Sequence, residues 1–409
     1  MRPSPGVLAA AAVTVALLAG CSDGAESSGG AGKPEAAAEA EATTSLETFT
    51  GADFYAVPDP LPEGEHGTLI RYRPHPDLAV DGATSYLVMY LSESVPGDPI
   101  AVTGTVSVPD TPAPDGGRPI VSLAHGTTGI ADECAPSRNS GGAGSLGLGL
   151  FTQQGYIVAN TDYEGMGTPG RHPYLVGESE GRSVLDAALA ARQLPDADAG
   201  TALGIFGYSQ GGHGALWAGE LAAEWAPDLD LVGTAAGAPA TELPLILGAG
   251  ASRGVAGFVY MMVAGLHAAY PDAPLSALLT PEGEAALDTV DQGCTAQVLG
   301  AFAGRDSSTL FQPGGPQAEP WATLAAENNP GTVATEAPIL LVNSAADDVV
   351  PNALVDLLYQ RMCGEGQVVE RRVYELGQGH GAAAPGAYQD AVAWLEGRFG
   401  GTEPTSTCP

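Results

Sequence analysis

Short apolar runs bounded by glycine, proline or aspartate recur along the chain from about Thr68 to the C-terminus. Continuous runs of this length are typical of strands that are buried on both faces of a sheet. They predict eight strands: Ser85–Leu91, Ile100–Val108, Pro119–Ala124, Tyr156–Thr161, Leu203–Tyr208, Leu229–Ala235, Ile339–Asn343 and Val368–Glu375.

Stretches with helical character separate most of these strands. The predicted helices are Ser145–Gln154, Arg182–Leu194, Gly211–Trp225, Asn352–Cys363 and Ala387–Phe399. Alternation of strands and helices favours an α/β fold with a mostly parallel sheet and helices on both faces. The first strands have no helix between them, so we expect the sheet to begin antiparallel.

The alternation is interrupted once, between the strands that end near Ala235 and begin near Ile339. About 100 residues lie there, whereas such connections usually have about two to six. We therefore expect one domain over residues 47–409 with a helical insertion at about 241–333. The apolar stretch Gly254–Tyr270 is short and broken by glycine, which favours a cap helix over a membrane span.

The N-terminus adds an export signal to this domain. An apolar run over residues 6–20 has the form of a secretory signal. It ends in Leu-Ala-Gly-Cys, which resembles a bacterial lipobox and predicts cleavage before Cys21 and lipidation of its sulfur. We expect a signal peptide at 1–21, a disordered tether at 22–46 and a protein anchored at the outer face of the membrane. The alternative is an ordinary signal peptide and a secreted protein.

Charge and cysteine content narrow the possible partners. The formal net charge is −33, with a single lysine, which disfavours nucleic acid as a partner. Besides Cys21 the chain has Cys134, Cys294, Cys363 and Cys408, which predict two disulfides in an exported protein, with three possible pairings. No two of them form a C-x₂-C pair, so no metal site is predicted.

The pattern Gly-x-Ser-x-Gly occurs three times, as GESEG (177–181), GYSQG (207–211) and GASRG (250–254). Only GYSQG has a predicted strand directly before it and a predicted helix directly after it. This order is typical of a sharp turn that exposes a serine nucleophile above a sheet edge. We therefore predict Ser209 as the nucleophile, against the alternative of a serine at an ordinary tight turn.

In hydrolases with this turn, the acid and then the histidine follow the serine along the chain. His380, in a predicted loop after a late strand, is the predicted base, whereas His213 and His267 are expected to be structural. The acid is predicted to follow strand Ile339–Asn343. Asp347 is our choice and Asp348 the alternative, the other carboxylate being solvated or a helix cap.

Attack by a serine places negative charge on the carbonyl oxygen, which backbone N–H groups must stabilise. The first predicted donor is Gln210, directly after the nucleophile. The second is Thr127, in the glycine-containing loop after strand Pro119–Ala124, with Gly126 or Thr128 as alternatives. The neighbouring His125 is expected to be a supporting residue.

Five segments together resemble the secretory lipase family of α/β hydrolases, known from actinobacteria and fungi. They are LAHGTTGIADECAPS (123–137), TDYEGMGTPGRHPYLVG (161–177), GYSQGGHGALWA (207–218), ADDVVP (346–351) and GQGHG (377–381). The resemblance implies an α/β-hydrolase fold in which a helical cap covers an acyl-binding tunnel. It also implies the disulfides Cys134–Cys294 and Cys363–Cys408.

The resemblance implies hydrolysis of carboxylic esters, including acylglycerols, by a Ser-His-Asp acyl-enzyme mechanism that needs no metal or organic cofactor. One alternative is a carboxylesterase for short-chain esters or polyesters. Another, of a different class, is a catalytically silent surface lipoprotein that binds lipid. The expected partners are an ester or lipid substrate and, through the anchor, the membrane; no protein partner is implied.

Overall fold

A computed structural model of the chain describes residues 46–75, 77–139, 147–250, 255–375 and 377–409. The predicted signal peptide with Cys21, the tether apart from Leu46, and GASRG apart from Gly250 lie outside these residues. Residues 46–409 form one compact unit.

In the described part of the chain, nine strands form one sheet in the order β1-β2-β3-β5-β4-β6-β7-β8-β9. Strands β1 to β3 and the β3–β5 pair are antiparallel, and the remaining pairs are parallel. The strands are β1 (Leu69–Pro74), β2 (Ala83–Glu93), β3 (Pro99–Pro109), β4 (Arg118–Ala124), β5 (Ile157–Thr161), β6 (Ala199–Tyr208), β7 (Asp230–Gly237), β8 (Ile339–Ser344) and β9 (Val369–Tyr374).

The described residues also form twelve α-helices. These are α1 (Leu148–Thr152), α2 (Gly177–Ala191), α3 (Gln210–Trp225), α4 (Leu243–Gly250), α5 (Ala256–Ala269), α6 (Leu275–Leu278), α7 (Pro281–Ala286), α8 (Thr295–Phe302), α9 (Ser307–Leu310), α10 (Trp321–Glu327), α11 (Asn352–Gly364) and α12 (His380–Phe399).

Helices cover both faces of the sheet, as the alternation predicts. On one face, Val184 of α2 and Ala215 of α3 are buried in a cluster with Ile120 of β4. On the other face, Trp394 of α12 is buried with Phe206 of β6. The expected α/β-hydrolase fold, with a mostly parallel sheet that begins antiparallel, is therefore confirmed.

Helix α2 begins five residues before the predicted Arg182, so that GESEG is its first turn rather than a segment that precedes it. The glycines of this motif suggested a break, but they serve helix packing. A Cβ at Gly177 would lie 1.9 Å from the ring of Trp217, and one at Gly181 would lie 3.0 Å from the backbone of Ala218. The glycines thus allow α2 to approach α3 closely.

Helix α12 begins seven residues before the predicted Ala387, although Pro385 lies inside it. His380 is therefore the first residue of a helix, and the prediction that it lies in a loop is wrong. Proline and the two flanking glycines resemble a helix break in sequence, but a carboxylate of a distant loop supplies the partner of the first helical N–H.

The helices α4 to α10 lie between β7 and β8, inside the segment expected to form a cap. They enclose an apolar cluster in which Tyr260, Met262 and Trp321 are fully buried. Helix α5, the predicted cap helix, has 14 residues. Among the described residues, no helix combines the length and the apolar character that crossing a bilayer requires.

Two disulfides join described residues, in the pairs that the resemblance implies. Cys134–Cys294 links the segment after β4 to the residue before α8, and Cys363–Cys408 links α11 to the C-terminal segment. This C-terminal segment runs beside β9, where the N–H of Thr407 donates to the carbonyl of Val369 at 2.8 Å.

Candidate active site

Ser209 lies at the sharp turn between β6 and α3, with φ 63° and ψ −120°. This positive φ is uncommon for a residue with a side chain. The turn needs its two flanking glycines, because a Cβ at Gly207 would lie 2.0 Å from the carbonyl of Gly211. A Cβ at Gly211 would lie 1.9 Å from the carbonyl of Ala124. The GYSQG sequence thus holds the serine in a strained, close-packed elbow.

The structure brings Ser209, His380 and Asp347 together. Nε2 of His380 lies 2.9 Å from Oγ of Ser209. On the opposite side of the ring, Nδ1 lies 2.8 and 3.0 Å from the two carboxylate oxygens of Asp347. The Asp347 side chain is fully buried, and its Oδ1 also accepts from the N–H groups of Val349 and Val350.

Asp348 faces the backbone of the same histidine. Its Oδ1 accepts from the N–H of His380 at 2.9 Å, and this hydrogen bond lowers the pKa of the Asp348 carboxyl. Two further contacts fix His380: the hydroxyl of Ser344 donates to the carbonyl of Gln378, and the hydroxyl of Tyr208 donates to the carbonyl of His380 at 2.6 Å. The loop that carries Asp347 and Asp348 and the start of α12 are therefore joined directly by hydrogen bonds.

The two predicted oxyanion donors flank Ser209. Gln210 begins α3, and Thr127 lines the cavity that contains the Ser209 and His380 side chains. Among the contacts of the described residues, neither backbone N–H has an acceptor. The cap holds the Thr127 loop, since the hydroxyl of Thr295 donates to the carbonyl of Thr127 at 3.1 Å. Both N–H groups are thus available to a ligand oxygen.

Two cavities meet at Ser209. A cavity of about 320 Å³ lies on the His380 side, where Tyr208, Ala384 and Tyr388 contribute to its wall. A second cavity, of about 40 Å³, lies under the cap. Phe258 of α5 lines both of them. This side chain therefore contacts the space on both sides of Ser209.

The three histidines that are predicted to have structural or supporting roles lie away from the Ser209 hydroxyl. His125 is fully buried, burial lowers its pKa, and its Nδ1 contacts the carbonyl of Gly126 at 2.8 Å. His213 contacts Glu180 and a backbone carbonyl. Burial also lowers the pKa of His267, in the cap. All three have the structural environment that the sequence predicts for them.

Sequence reasoning missed a set of buried polar groups behind the elbow. Gln210 Nε2 contacts both Nε2 of His172 and Oε1 of Glu180, each at 2.9 Å. Their segments are visible in the sequence, since His172 lies in TDYEGMGTPGRHPYLVG and Glu180 in GESEG. No local pattern brings these segments together, because their meeting depends on the packing of α2 against α3. The described residues contain no group of three side chains arranged to hold a metal ion.

The family model of secretory lipases matches residues 146–407, which cover the elbow, the acid and the histidine. The chain belongs to the secretory lipase family. This family and relatives named as triacylglycerol lipases and as an esterase show that the protein is a carboxylic ester hydrolase. Its family and its two disulfides also indicate an exported protein.

The proteins that the chain resembles include some named as lipases and one described as a probable inactive lipase. A Mycobacterium tuberculosis protein described as a probable inactive lipase is 27% identical, covering 85% of this chain and 82% of its own. Lipase 1 of Candida albicans is 26% identical, covering 87% of this chain and 82% of its own. The crystal structure of Candida antarctica lipase A in its closed state has a TM-score of 0.75 at 23% identity, covering 87% of this chain and 88% of that one. At that identity the likeness shows the fold alone.

Proposed function

We propose that the protein is an acylglycerol lipase in which Ser209, His380 and Asp347 form the catalytic triad. The observation that supports this most directly is the 2.9 Å contact between His380 Nε2 and Ser209 Oγ, with the buried Asp347 carboxylate on Nδ1. A serine hydroxyl becomes nucleophilic when an adjacent base takes its proton and a third group orients that base.

In the first step, His380 takes the Ser209 proton as the oxygen attacks the ester carbonyl. The carbonyl oxygen gains negative charge, which the backbone N–H groups of Gln210 and Thr127 stabilise by hydrogen bonding. The C–O bond to the leaving group then breaks, and His380 donates its proton to the departing alcohol. The product of this step is an ester of the acyl group with Ser209.

In the second step, water attacks the acyl-enzyme by the same route. His380 takes a proton from the water and then returns it to Ser209, which releases the carboxylic acid. Asp347 keeps Nδ1 protonated and stabilises the imidazolium that forms in both steps. Each proton that His380 takes up is passed on within the same step, so the two steps balance with the ester and one water as the only reactants.

The apolar environment of Ser209 supports a lipid substrate. Phe258, Ala384 and Tyr388 line the larger cavity, and helix α5 of the cap covers the smaller one. Apolar walls with a few convergent polar groups are typical of sites that bind apolar ligands. The larger cavity, of about 320 Å³, has room for a substantial acyl or alcohol portion.

The size of the smaller cavity favours a second candidate, a short-chain carboxylesterase. At about 40 Å³ it holds only a few water-sized groups. An enzyme that places the acyl group there would accept short chains alone and would leave the alcohol in the larger cavity. The two candidates share one mechanism and differ in acyl length.

The proposal also includes a membrane anchor, and it differs from the alternative of a catalytically silent protein. Lipidation of Cys21 would anchor the enzyme at the outer face of the membrane and bring it close to lipid substrates. The mycobacterial relative is described as a probable inactive lipase. A catalytically silent, lipid-binding role would not require the three side chains to contact one another as they do here.

The test compares full-length protein in detergent with the Ser209→Ala and His380→Ala variants on p-nitrophenyl esters of rising acyl length and on emulsified triacylglycerol. The triad is supported if the wild type is active and each substitution reduces that activity by at least about a thousandfold. Activity that persists in folded Ser209→Ala would rule it out. Hydrolysis confined to short esters would favour the esterase.

A further inference from the structure

The side chain of Gln210 lines neither of the two cavities at Ser209. It is 1% exposed, and its amide nitrogen lies 2.9 Å from His172 Nε2 and 2.9 Å from Glu180 Oε1. An amide nitrogen carries two hydrogens. Both of them are therefore used, one for each partner.

The protonation of His172 determines which way these hydrogen bonds run. Its Nδ1 lies 2.9 Å from the carbonyl of Glu164, which only accepts, so Nδ1 carries the proton. Burial lowers the pKa of His172 to about 4, so the ring is neutral near pH 7 and Nε2 presents a lone pair. Rotation of the Gln210 amide by 180° would place its oxygen next to the His172 lone pair and the Glu180 carboxylate, and both would repel it. Only one orientation is allowed.

Glu180 is held just as closely as His172. Its Oε1 also accepts from the N–H of Leu175 at 2.9 Å, and its Oε2 lies 2.6 Å from Nδ1 of His213. Nε2 of His213 donates to the carbonyl of Asn328 at 2.9 Å, so a proton must also lie between Nδ1 and Oε2. The Glu180 and His213 side chains are fully buried. This arrangement satisfies both carboxylate oxygens.

We propose that His172 and Glu180 are positioning residues that clamp the Gln210 side chain and thereby hold the Gln210 N–H in line with the oxyanion. The inference rests on the proposed function, since it concerns an N–H donor of that reaction. Gln210 is the first residue of α3, where no preceding helical turn restrains it. The two side-chain hydrogen bonds fix its Cα, and with it the direction of its N–H.

The clamp also connects the elbow to the end of the cap. The carbonyl of Asn328, directly after α10, accepts from His213, and its side-chain Oδ1 accepts from the N–H of Gly177 at 2.8 Å. A chain of contacts thus runs from Asn328 through His213 and Glu180 to Gln210. Displacement of the C-terminal end of the cap would therefore shift Gln210 and change the direction of its backbone N–H.

The decisive variant is Gln210→Met, which keeps the backbone N–H and the side-chain length but loses both hydrogen-bond donors. We expect kcat for p-nitrophenyl butyrate to fall by about 10- to 100-fold, with KM changed less than about threefold, because misalignment acts on the transition state. Two variants of Glu180 then distinguish the effect of its hydrogen bonds from the effect of its charge. Glu180→Leu should show the same kcat defect, and Glu180→Gln should recover most of it, because an amide can accept from Leu175 and Gln210 and donate to His213.

Asp186→Asn is the matched control, since Asp186 is a buried carboxylate of the same helix that contacts His66 and Trp225 instead. The kcat of each variant is calculated per active site labelled by a fluorophosphonate, so that misfolded protein is excluded from the enzyme concentration. A kcat of Gln210→Met within twofold of the wild type, or equal losses in Glu180→Gln and Glu180→Leu, would overturn the inference. If Ser209→Ala stays active, the proposed function fails instead, whatever these variants do.

Discussion

The Oδ1 atom of Asp348 accepts a hydrogen bond from the backbone N–H of His380, 2.9 Å away. The adjacent Asp347 contacts the imidazole of the same residue. Two neighbouring carboxylates thus hold one histidine in two ways. Asp348 binds its backbone N–H at the start of α12, and Asp347 binds its imidazole ring. Their removal should therefore have different effects.

Asp347→Asn should lower kcat by about 10³- to 10⁴-fold with the protein still folded, because the amide no longer stabilises the imidazolium or the required tautomer. Asp348→Ala should lower the free energy of unfolding by about 1 kcal/mol, as loss of a helix cap does, with a much smaller loss of kcat. Steady-state kinetics and urea unfolding of both variants measure this. The reverse order of kcat losses would make Asp348 the catalytic acid.

The two disulfides should differ in their effect on catalysis. Cys134–Cys294 closes a separation of 160 residues and lies beside the Thr127 loop, whereas Cys363–Cys408 closes 45 residues near the C-terminus. Replacing either pair by serine should destabilise the protein by about 2–5 kcal/mol. Only the Cys134→Ser/Cys294→Ser variant should also lower kcat per labelled site, because it frees the loop that carries Thr127, the proposed oxyanion donor. Equal kcat values in the two double variants would contradict this.

Phe258 should determine acyl length. Phe258→Ala would enlarge the cavities of about 320 and 40 Å³, both of which this ring lines. The ratio of kcat/KM for octanoyl over butyryl esters should rise by about tenfold or more, since each newly buried methylene contributes about 0.8 kcal/mol. Leu245→Ala is the control, because this cap leucine is 51% exposed. A ratio that changes equally in both variants would remove Phe258 from this role.

Stability should fall with pH through His172. Burial lowers its pKa from 6.5 to about 4. Between these pH values the unfolded chain binds a proton that the folded protein does not, so the free energy of unfolding falls as the pH falls through this range. The full effect is about 3 kcal/mol. Urea unfolding at pH 7.5 and pH 4.5 should show a smaller loss for His172→Gln than for the wild type, and an identical loss would contradict the assignment.

Eight of the strands and the choice of Ser209, Asp347 and His380 could be predicted because each depends on a local pattern. The order of the strands in the sheet depends on long-range pairing and was not predicted. A strand, a tight turn and a helix around Ser209 lie within about twenty residues of sequence. Strand β1 was missed because Arg71 and Arg73 alternate with its apolar residues, as they do in a partly exposed edge strand, so that no continuous apolar run marks it.

The starts of α2 and α12 could not be predicted from local signals. Gly177 and Gly181 indicate a break in sequence, but in the structure they allow a helix to approach Trp217. Asp348, which accepts from the first N–H of α12, lies 32 residues from His380 in sequence. The clamp on Gln210 was missed for the same reason, because its partners meet only once α2 has packed against α3.

The C-terminal segment beside β9 has a consequence for solubility. Strand β9 is the last of the sheet, and an uncovered outer strand offers unpaired backbone groups to other chains. Thr407 already binds there, since its N–H donates to Val369 and its hydroxyl accepts from the N–H of Arg371 at 2.9 Å. Cys363–Cys408 fastens this cover one residue further on. We therefore expect the disulfide near the C-terminus to protect the β9 edge of the sheet against pairing with other chains.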